Sequence, residues 1–428
     1  MDKNQNTKKK KKELKKEEKA KQIKIKKEPK PIRSNVFRTS EVVFLVVITC
    51  IISLGLGIIV ANNLGTSKNN SDIFSDDTNL NELIKNYNYI KDNYYDELDE
   101  TSLLNGAING MLNTLGDEYS TIIDETSVDM FNIYLEGEYK GLGIVITSDS
   151  SNNIIISSVM DDSPASKVGL QIGDIITKVD GIDMTTKTHS DLSEYILNSE
   201  NTTFTLNIIR NEEEKVYTIN KEKVTLKSVS YKTIEKDSKK IGYIFISTFS
   251  NTTYEQFKAA IDDLESQNID GIIMDVRENT GGHLTAVVNM LSLLLDSSNI
   301  IYQTETQDVV KKYYSKGTIT KEYPIVVLQN NNSASASEMF SVCLQEQFGA
   351  IIIGTSSYGK GTVQELIQLE NGIEYKVTTK KWLSPKGIWI NKIGVTPNIE
   401  IELSEDYQNN PIEENDNQLQ TAINEFLK

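Results

Sequence analysis

The longest apolar run in the 428-residue chain is an uncharged stretch of twenty residues at 42–61. At about 1.5 Å per helical residue, such a run spans a hydrocarbon core of about 30 Å. We therefore predict a transmembrane helix at 42–61, followed by a polar linker at 62–77. A cleaved signal peptide is the alternative. However, the 41 residues before the run exceed a usual n-region, and Ala61-Asn62-Asn63 is a poor cleavage site.

Shorter apolar patterns follow the linker. Helical spacing at 78–137 predicts a helical region in which two helices are centred on residues 80–90 and 103–112, the second ending at Gly116. Residues 138–222 change to short β-rich runs separated by turn signals such as Asp180-Gly181. This change predicts a small β-rich domain.

Residues 223–402 alternate apolar strands with helical spacing. The runs at 271–276, 325–328 and 350–353 are apolar enough to be buried on both faces of a sheet. This alternation predicts an α/β core. Residues 403–428 then read as an acidic linker at 403–416 and a helix whose apolar stripe could dock on the core or on another subunit.

Charge is distributed unevenly along the chain. The first 40 residues hold 16 Lys or Arg and 5 Asp or Glu, a net charge of about +11. Since the whole chain carries −16, the remaining residues carry about −27. Basic flanks stay on the cytoplasmic side of a membrane. We expect residues 1–41 to be a cytoplasmic tail and residues 62–428 to be extracytoplasmic. The acidic body argues against nucleic-acid binding.

Cysteine and histidine are scarce. Cys50 and Cys343 are too far apart to indicate a disulfide framework, and only His189 and His283 could add to a metal site. We therefore predict no metal and no cofactor.

A glycine loop at Tyr139–Ile144 leads into the first β-rich run. Converging backbone N–H groups in such a loop can hold a carboxylate, although the pattern alone also fits an ordinary hairpin. The order of this loop, Ser163-Pro164-Ala165 and Gly173-Asp174 resembles a PDZ domain over 138–222. That resemblance implies binding of peptide C-termini by Leu142, Gly143 and Ile144, with a structural role for Asp174.

Ser333, Ser335 and Ser337 lie in a small-residue stretch between an apolar strand and helical spacing. A serine at such a turn can expose its hydroxyl near a helix N-terminus, which stabilises an oxyanion. Taken alone, the stretch favours a simple helix N-cap. For a base, Asp275 and His283 allow a Ser-His-Asp arrangement in principle. Lys360, among small uncharged neighbours, would lose its proton more easily if it were buried.

Several separated motifs resemble the carboxyl-terminal processing proteases, a family of Ser–Lys serine peptidases with an embedded PDZ domain. They are the stretches 275–282, 333–338 and 359–364, with weaker similarity at 242–250 and 384–397. This sequence differs from the family pattern at Thr280, His283 and Asn332. These positions flank the expected catalytic residues, all of which are present.

The resemblance implies a crotonase-like α/β protease core with an inserted PDZ domain and an N-terminal helical segment. It also implies an endopeptidase that recognises protein substrates by their C-termini. A silent membrane scaffold that only binds C-termini is the alternative. The implied roles are nucleophile for Ser335, base for Lys360, orientation of the base for Gln364, and oxyanion binding for the backbone of Gly281, Gly282 and Ala336.

Overall fold

The computed structural model describes residues 78–123, 125–368 and 374–428. The predicted tail, transmembrane helix at 42–61 and linker lie outside these residues. Within the described ranges, no helix is long and apolar enough to cross a bilayer. The described residues 78–98, which contain helix α1, belong to one unit, and Asp99–Lys428 form a second.

The helices agree in type with the apolar spacing. The second helix ends at Asn113 rather than at Gly116, which lies in a following turn with φ of 63°. The predicted acidic linker also contains a short helix and a 3-10 turn, because Ser404 caps the first of them. The helices are α1 Thr78–Asn93, α2 Glu100–Asn113, α3 Glu125–Glu136, α4 Pro164–Val168, α5 His189–Asn198, α6 Thr253–Ser266, α7 Leu284–Leu291, α8 Ala336–Cys343, α9 Glu405–Asn409 and α10 Asn417–Glu425.

The β-rich region forms an antiparallel sheet with strand order β3-β4-β5-β7-β8, and a short β6 pairs with β5. Its apolar side chains form a core of their own, separate from that of the α/β region. Asp174 is fully buried and accepts two hydrogen bonds of 2.6 Å from Arg210, which confirms its structural role. The strands are β3 Ile144–Ser148, β4 Ile154–Val159, β5 Ile175–Val179, β6 Ile182–Asp183, β7 Thr203–Arg210 and β8 Glu213–Asn220.

A two-stranded ribbon joins this small domain to the rest of the unit. Strand β2, Glu138–Gly141, pairs antiparallel with β9, Glu222–Thr225. The small domain is therefore an insertion whose entry and exit strands lie side by side.

The α/β region is built on a six-stranded sheet with order β10-β11-β12-β15-β16-β19. All neighbours are parallel except β10 and β11. Helices α6, α7 and α8 pack on one face and α10 packs on the other, so the central strands are buried on both faces, as their apolar runs predict. The strands are β10 Val229–Lys236, β11 Lys239–Ile246, β12 Gly271–Asp275, β15 Ile325–Gln329, β16 Ile351–Gly354 and β19 Ile399–Glu400.

A second sheet completes the α/β region. Its order is β1-β18-β13-β14, and β17 pairs with β18. These strands carry the wall of the cavity described below. They are β1 Thr121–Ile123, β13 Ile300–Thr306, β14 Val309–Tyr314, β17 Thr362–Gln368 and β18 Glu374–Leu383.

Candidate active site

Ser335 lies where the chain passes from β15 to α8, as the sequence predicts. It is the N-cap of α8, with φ of 54° and ψ of −112°. A positive φ is strained for a residue with a Cβ atom, and such strain collects at functional sites. The loop is held by the backbone, since the Ala334 N–H donates to the Asn279 carbonyl at 3.0 Å. The strained turn therefore occupies a fixed position.

Glu338 links the serine loop to the lysine loop. Its fully buried carboxylate accepts from the backbone N–H groups of Ser335 at 2.7 Å and Lys360 at 2.8 Å through one oxygen. The other oxygen accepts from the Gly359 N–H and the Ser357 hydroxyl, both at 2.6 Å. Burial raises the pKa of this carboxyl group, while these donors oppose the rise. One side chain thus fixes both backbones, a role that sequence reasoning missed.

Lys360 lies in the loop between β16 and β17. Its carbonyl accepts from the Trp382 indole at 2.7 Å, and its ammonium lies 4.8 Å from the centre of the Tyr119 ring. Burial and then the positive charge of Lys376 lower the pKa of Lys360, against the pull of nearby carboxylates. The direction agrees with the prediction from the sequence, although Asp117 and Glu338 are acids that the fold brings near Lys360 and that its sequence neighbours do not include. A lysine in this state can accept a proton.

Ser335, Lys360 and Gln364 line one cavity of about 630 Å³. Helix α3 forms one wall, where the Tyr134 hydroxyl bonds to the Gly281 carbonyl at 3.3 Å. Strands β17 and β18 form another wall, and the start of α7 forms a third. The cavity is therefore enclosed by three separate parts of the chain.

Gln364 lies in the cavity without bonding to Lys360. Its amide donates to the hydroxyl groups of Thr362 at 3.0 Å and Thr378 at 3.1 Å. Among the described residues, no hydrogen bond joins it to the lysine ammonium. The Lys360 ammonium lies over the Tyr119 ring, while the Gln364 amide is bonded to the two threonines.

The two glycines expected at an oxyanion hole have different roles. The Gly281 N–H donates to the Asn279 side chain at 2.9 Å, so it is not free for a substrate. Within the described ranges, the backbone N–H groups of Gly282 and Ala336 have no acceptor. Gly282 has φ of 138°, and a Cβ atom there would lie 2.3 Å from the Phe249 carbonyl oxygen. Only glycine fits this position.

The Ser-His-Asp alternative lacks its acid. His283 lines the cavity, but its buried Nε2 has no hydrogen-bond partner in the described part of the chain. The Asp275 carboxylate is instead bonded to Arg277 and, at 2.7 Å, to the Tyr243 hydroxyl. No carboxylate therefore orients the imidazole through the residues that the structure describes.

A buried ion pair ties the loop at residues 276–283 to helix α10. The Arg277 guanidinium bonds to Asp275 at 2.5 Å and to Asp416 at 2.8 Å, and it also donates to Gln418 at 3.0 Å. Asp416 also caps α10 by accepting from the Leu419 N–H at 2.9 Å. The segment predicted as an acidic linker at 403–416 thus ends in a residue that is buried against Arg277.

The predicted peptide-binding residues lie at the start of β3. Leu142 is buried, and its carbonyl accepts from the Ala165 N–H at 2.9 Å. Gly143 has φ of 77°, and a Cβ atom there would lie 2.2 Å from the Ser163 Cβ, so glycine is required. Ile144 begins β3, which pairs only with β4 among the described strands. Such an edge can accept an added peptide strand.

Comparison with known proteins identifies the family. Residues 240–401 match the model of peptidase family S41, residues 59–127 match the N-terminal domain of the activating protease CtpB, and residues 155–210 match a PDZ domain. The carboxy-terminal processing protease CtpB of Bacillus subtilis is 33% identical over 340 residues, which cover 79% of this chain and 71% of that protein.

Two further relatives agree. The carboxy-terminal processing protease CtpA of Bacillus subtilis is 31% identical over 370 residues, covering 86% of this chain and 78% of that protein. A probable CtpA-like serine protease of Staphylococcus aureus is 32% identical over 331 residues, which cover 77% of this chain and 66% of that protein. These matches define a serine peptidase with a PDZ domain. The chain belongs to peptidase family S41, among the carboxy-terminal processing proteases.

Proposed function

We propose that this peptidase cleaves proteins with a Ser335–Lys360 catalytic pair. The Ser335 hydroxyl attacks the peptide carbonyl while the neutral Lys360 amine takes its proton. The resulting oxyanion is held by the N–H groups of Gly282 and Ala336. Lys360 then protonates the leaving amine. Water next attacks the acyl-enzyme carbonyl while Lys360 takes its proton, and Lys360 returns that proton to the departing Ser335 oxygen.

The observation that carries this proposal is the shared position of the two loops. Glu338 accepts hydrogen bonds from the backbone of both Ser335 and Lys360, and both residues line one cavity. The low pKa of Lys360 supports its role as a base. A scaffold that only binds peptides would need neither the strained serine nor the half-buried lysine.

The PDZ domain is proposed to recruit substrates by their C-termini. The unpaired edge of β3 would add a peptide strand, and the loop at Leu142–Ile144 would hold the terminal carboxylate. The binding surface and the cavity belong to separate cores, so recruitment and cleavage would occur at different places on the unit.

The location of the enzyme is also a proposal. The apolar run at 42–61 would anchor the chain in the cell membrane, with the Lys-rich tail inside and the catalytic region outside. Deleting residues 1–61 should move the protein from the membrane to the soluble fraction. Recovery of the intact chain in the soluble fraction would contradict the anchor.

The catalytic pair is tested by single substitutions in the full chain. Ser335→Ala and Lys360→Ala should each abolish cleavage of an unfolded test protein, with circular dichroism unchanged. Lys380→Ala, on the neighbouring strand, is the matched control for loss of a lysine and should retain turnover. His283→Ala should also retain turnover. Its inactivity, together with an active Lys360→Ala, would favour histidine as the base.

A further inference from the structure

A second lysine faces the catalytic cavity. Lys376 lies on β18 and lines the cavity together with Ser335 and Lys360. In the register of β17 and β18, Gln364 is opposite Thr378 and Leu366 is opposite Lys376. Because side chains two residues apart share a face of a strand, Lys376 lies on the same face as Thr378 and is displaced along the cavity wall from Gln364.

Lys376 differs from the other lysines of its strand. Lys380 pairs with Glu365, and the Lys381 ammonium lies 2.7 Å from Glu305. The half-buried Lys376 makes no ion pair or side-chain hydrogen bond with any residue in the part of the chain that the structure describes. A partly desolvated cation without a counterion is unfavourable. The cavity is thus prepared for a negative group that is not among these residues.

The surroundings of Lys376 strengthen this imbalance. Lys376 is close enough to Lys360 for its charge to act on that ammonium. Next to Lys376, the cavity wall is apolar at Leu366, and Phe131 contributes a further apolar side chain from α3. Both side chains are exposed in the free enzyme, so a substrate that covers them would displace water and strengthen the attraction between the ammonium and an anion. The rest of the extracytoplasmic body is acidic, so an anionic substrate would need a local cation to enter.

We propose that Lys376 forms a carboxylate-binding subsite that selects substrates with an anionic group near the scissile bond. The inference rests on the proposed catalytic role of Ser335 and Lys360, since it places the subsite in the same cavity. The carboxylate could belong to an acidic side chain or to the chain terminus of the substrate. Both present the same oxygen acceptors to an ammonium donor.

The test uses the full chain in detergent and quenched fluorescent peptides. The peptides share one sequence and carry Glu or Gln in turn at each of the positions flanking the cleaved bond. Each peptide is made with a free and with an amidated C-terminus. For the wild type, we expect the carboxylate form to be preferred about tenfold in kcat/KM at one position, the size of a charge-assisted hydrogen bond.

Substitutions assign that preference to Lys376. Lys376→Gln should reduce it to about twofold or less, and Lys376→Glu should favour Lys over Glu at the same position, since opposite charges attract. Lys380→Gln removes a charge from the same strand and should leave the preference unchanged. If Lys376→Gln loses the preference for Glu over Gln, the ligand is an acidic side chain. If it loses the preference for a free over an amidated C-terminus, the ligand is the chain terminus.

Two results would overturn the inference in distinguishable ways. If Lys376→Gln cleaves all peptides with the wild-type preferences, the subsite is wrong while the catalytic pair stands. If the wild type cleaves no peptide and no unfolded protein, the proposed function fails and the subsite fails with it.

Discussion

Replacing Asp416 by alanine tests whether helix α10 stabilises the loop at residues 276–283. Asp416 is 2% exposed and Arg277 is 8% exposed, so their ion pair is almost fully removed from water. The substitution removes both of the carboxylate's bonds to the guanidinium, at 2.8 and 3.1 Å. It also removes the side-chain cap of α10.

The expected loss follows from these contacts. Removing one partner of a buried ion pair costs about 3–5 kcal/mol, and removing a helix cap costs about 1 kcal/mol. Because Asp275 and Gln418 still accept hydrogen bonds from Arg277, part of the charge remains compensated. The two costs together are about 4–6 kcal/mol, and we therefore expect Asp416→Ala to lower the free energy of unfolding by about 4 kcal/mol, the lower end of that range.

Tryptophan fluorescence during urea unfolding measures this change in the catalytic region. The chain has two tryptophans, Trp382 and Trp389, and both lie in that region. Asp406→Ala is the matched control, since Asp406 is exposed on α9, and it should change stability by less than about 0.5 kcal/mol. Asp416→Asn keeps a cap and an acceptor but loses the charge, so its loss in free energy of unfolding should lie between those of Asp406→Ala and Asp416→Ala.

A loss for Asp416→Ala no larger than that for Asp406→Ala would refute this reasoning. It would mean that the buried guanidinium finds other partners when Asp416 is removed. We also expect kcat to fall in Asp416→Ala at temperatures where the core is folded, because Arg277 lies four residues before Gly281 in the catalytic loop.

Three further predictions concern the catalytic cavity. Because Lys360 must be neutral to act and its pKa is lowered, kcat/KM should rise with pH around a midpoint below the value of about 10.4 for a free lysine. Lys376→Gln should move that midpoint to higher pH, since a charge that lowers the pKa is lost; an unmoved midpoint would contradict this. Glu338→Gln places an amide donor against backbone N–H donors, so kcat should fall by about 100-fold, which corresponds to about 2.7 kcal/mol. A wild-type kcat in this variant would show that the hydrogen bonds of Glu338 to the two loops are not needed for catalysis. Gly282→Ala should abolish cleavage while PDZ peptide binding, measured by calorimetry, persists, because the added Cβ atom would clash with the Phe249 carbonyl; retained cleavage would exclude that steric constraint.

Local sequence patterns predicted much of the fold and part of the site. The buried strands at 271–275 and 325–329 are recognisable because a strand covered on both faces needs a continuous apolar run. Ser335 and Lys360 lie in short contiguous motifs, so their types and neighbours are legible without the fold. The assignment of the catalytic base was also helped by the scarcity of histidine.

The remaining site residues depend on contacts between distant segments. Glu338 was visible in its motif, but its bond to the Lys360 backbone exists only when two loops meet. Asp416 is 139 residues from Arg277, and an acidic residue in a polar segment has the same local pattern whether it is solvated or buried. Tyr119 reaches the Lys360 ammonium from a third segment. A sequence pattern records local periodicity and does not record such long-range pairing.

The docking of α10 also affects how the enzyme is made. Residues 416–425 leave the ribosome after every other element of the catalytic region has been synthesised. Until they emerge, the Arg277 guanidinium lacks Asp416 and the central sheet lacks the helix that covers one of its faces. A nascent chain therefore holds the serine and the lysine before it holds the completed loop.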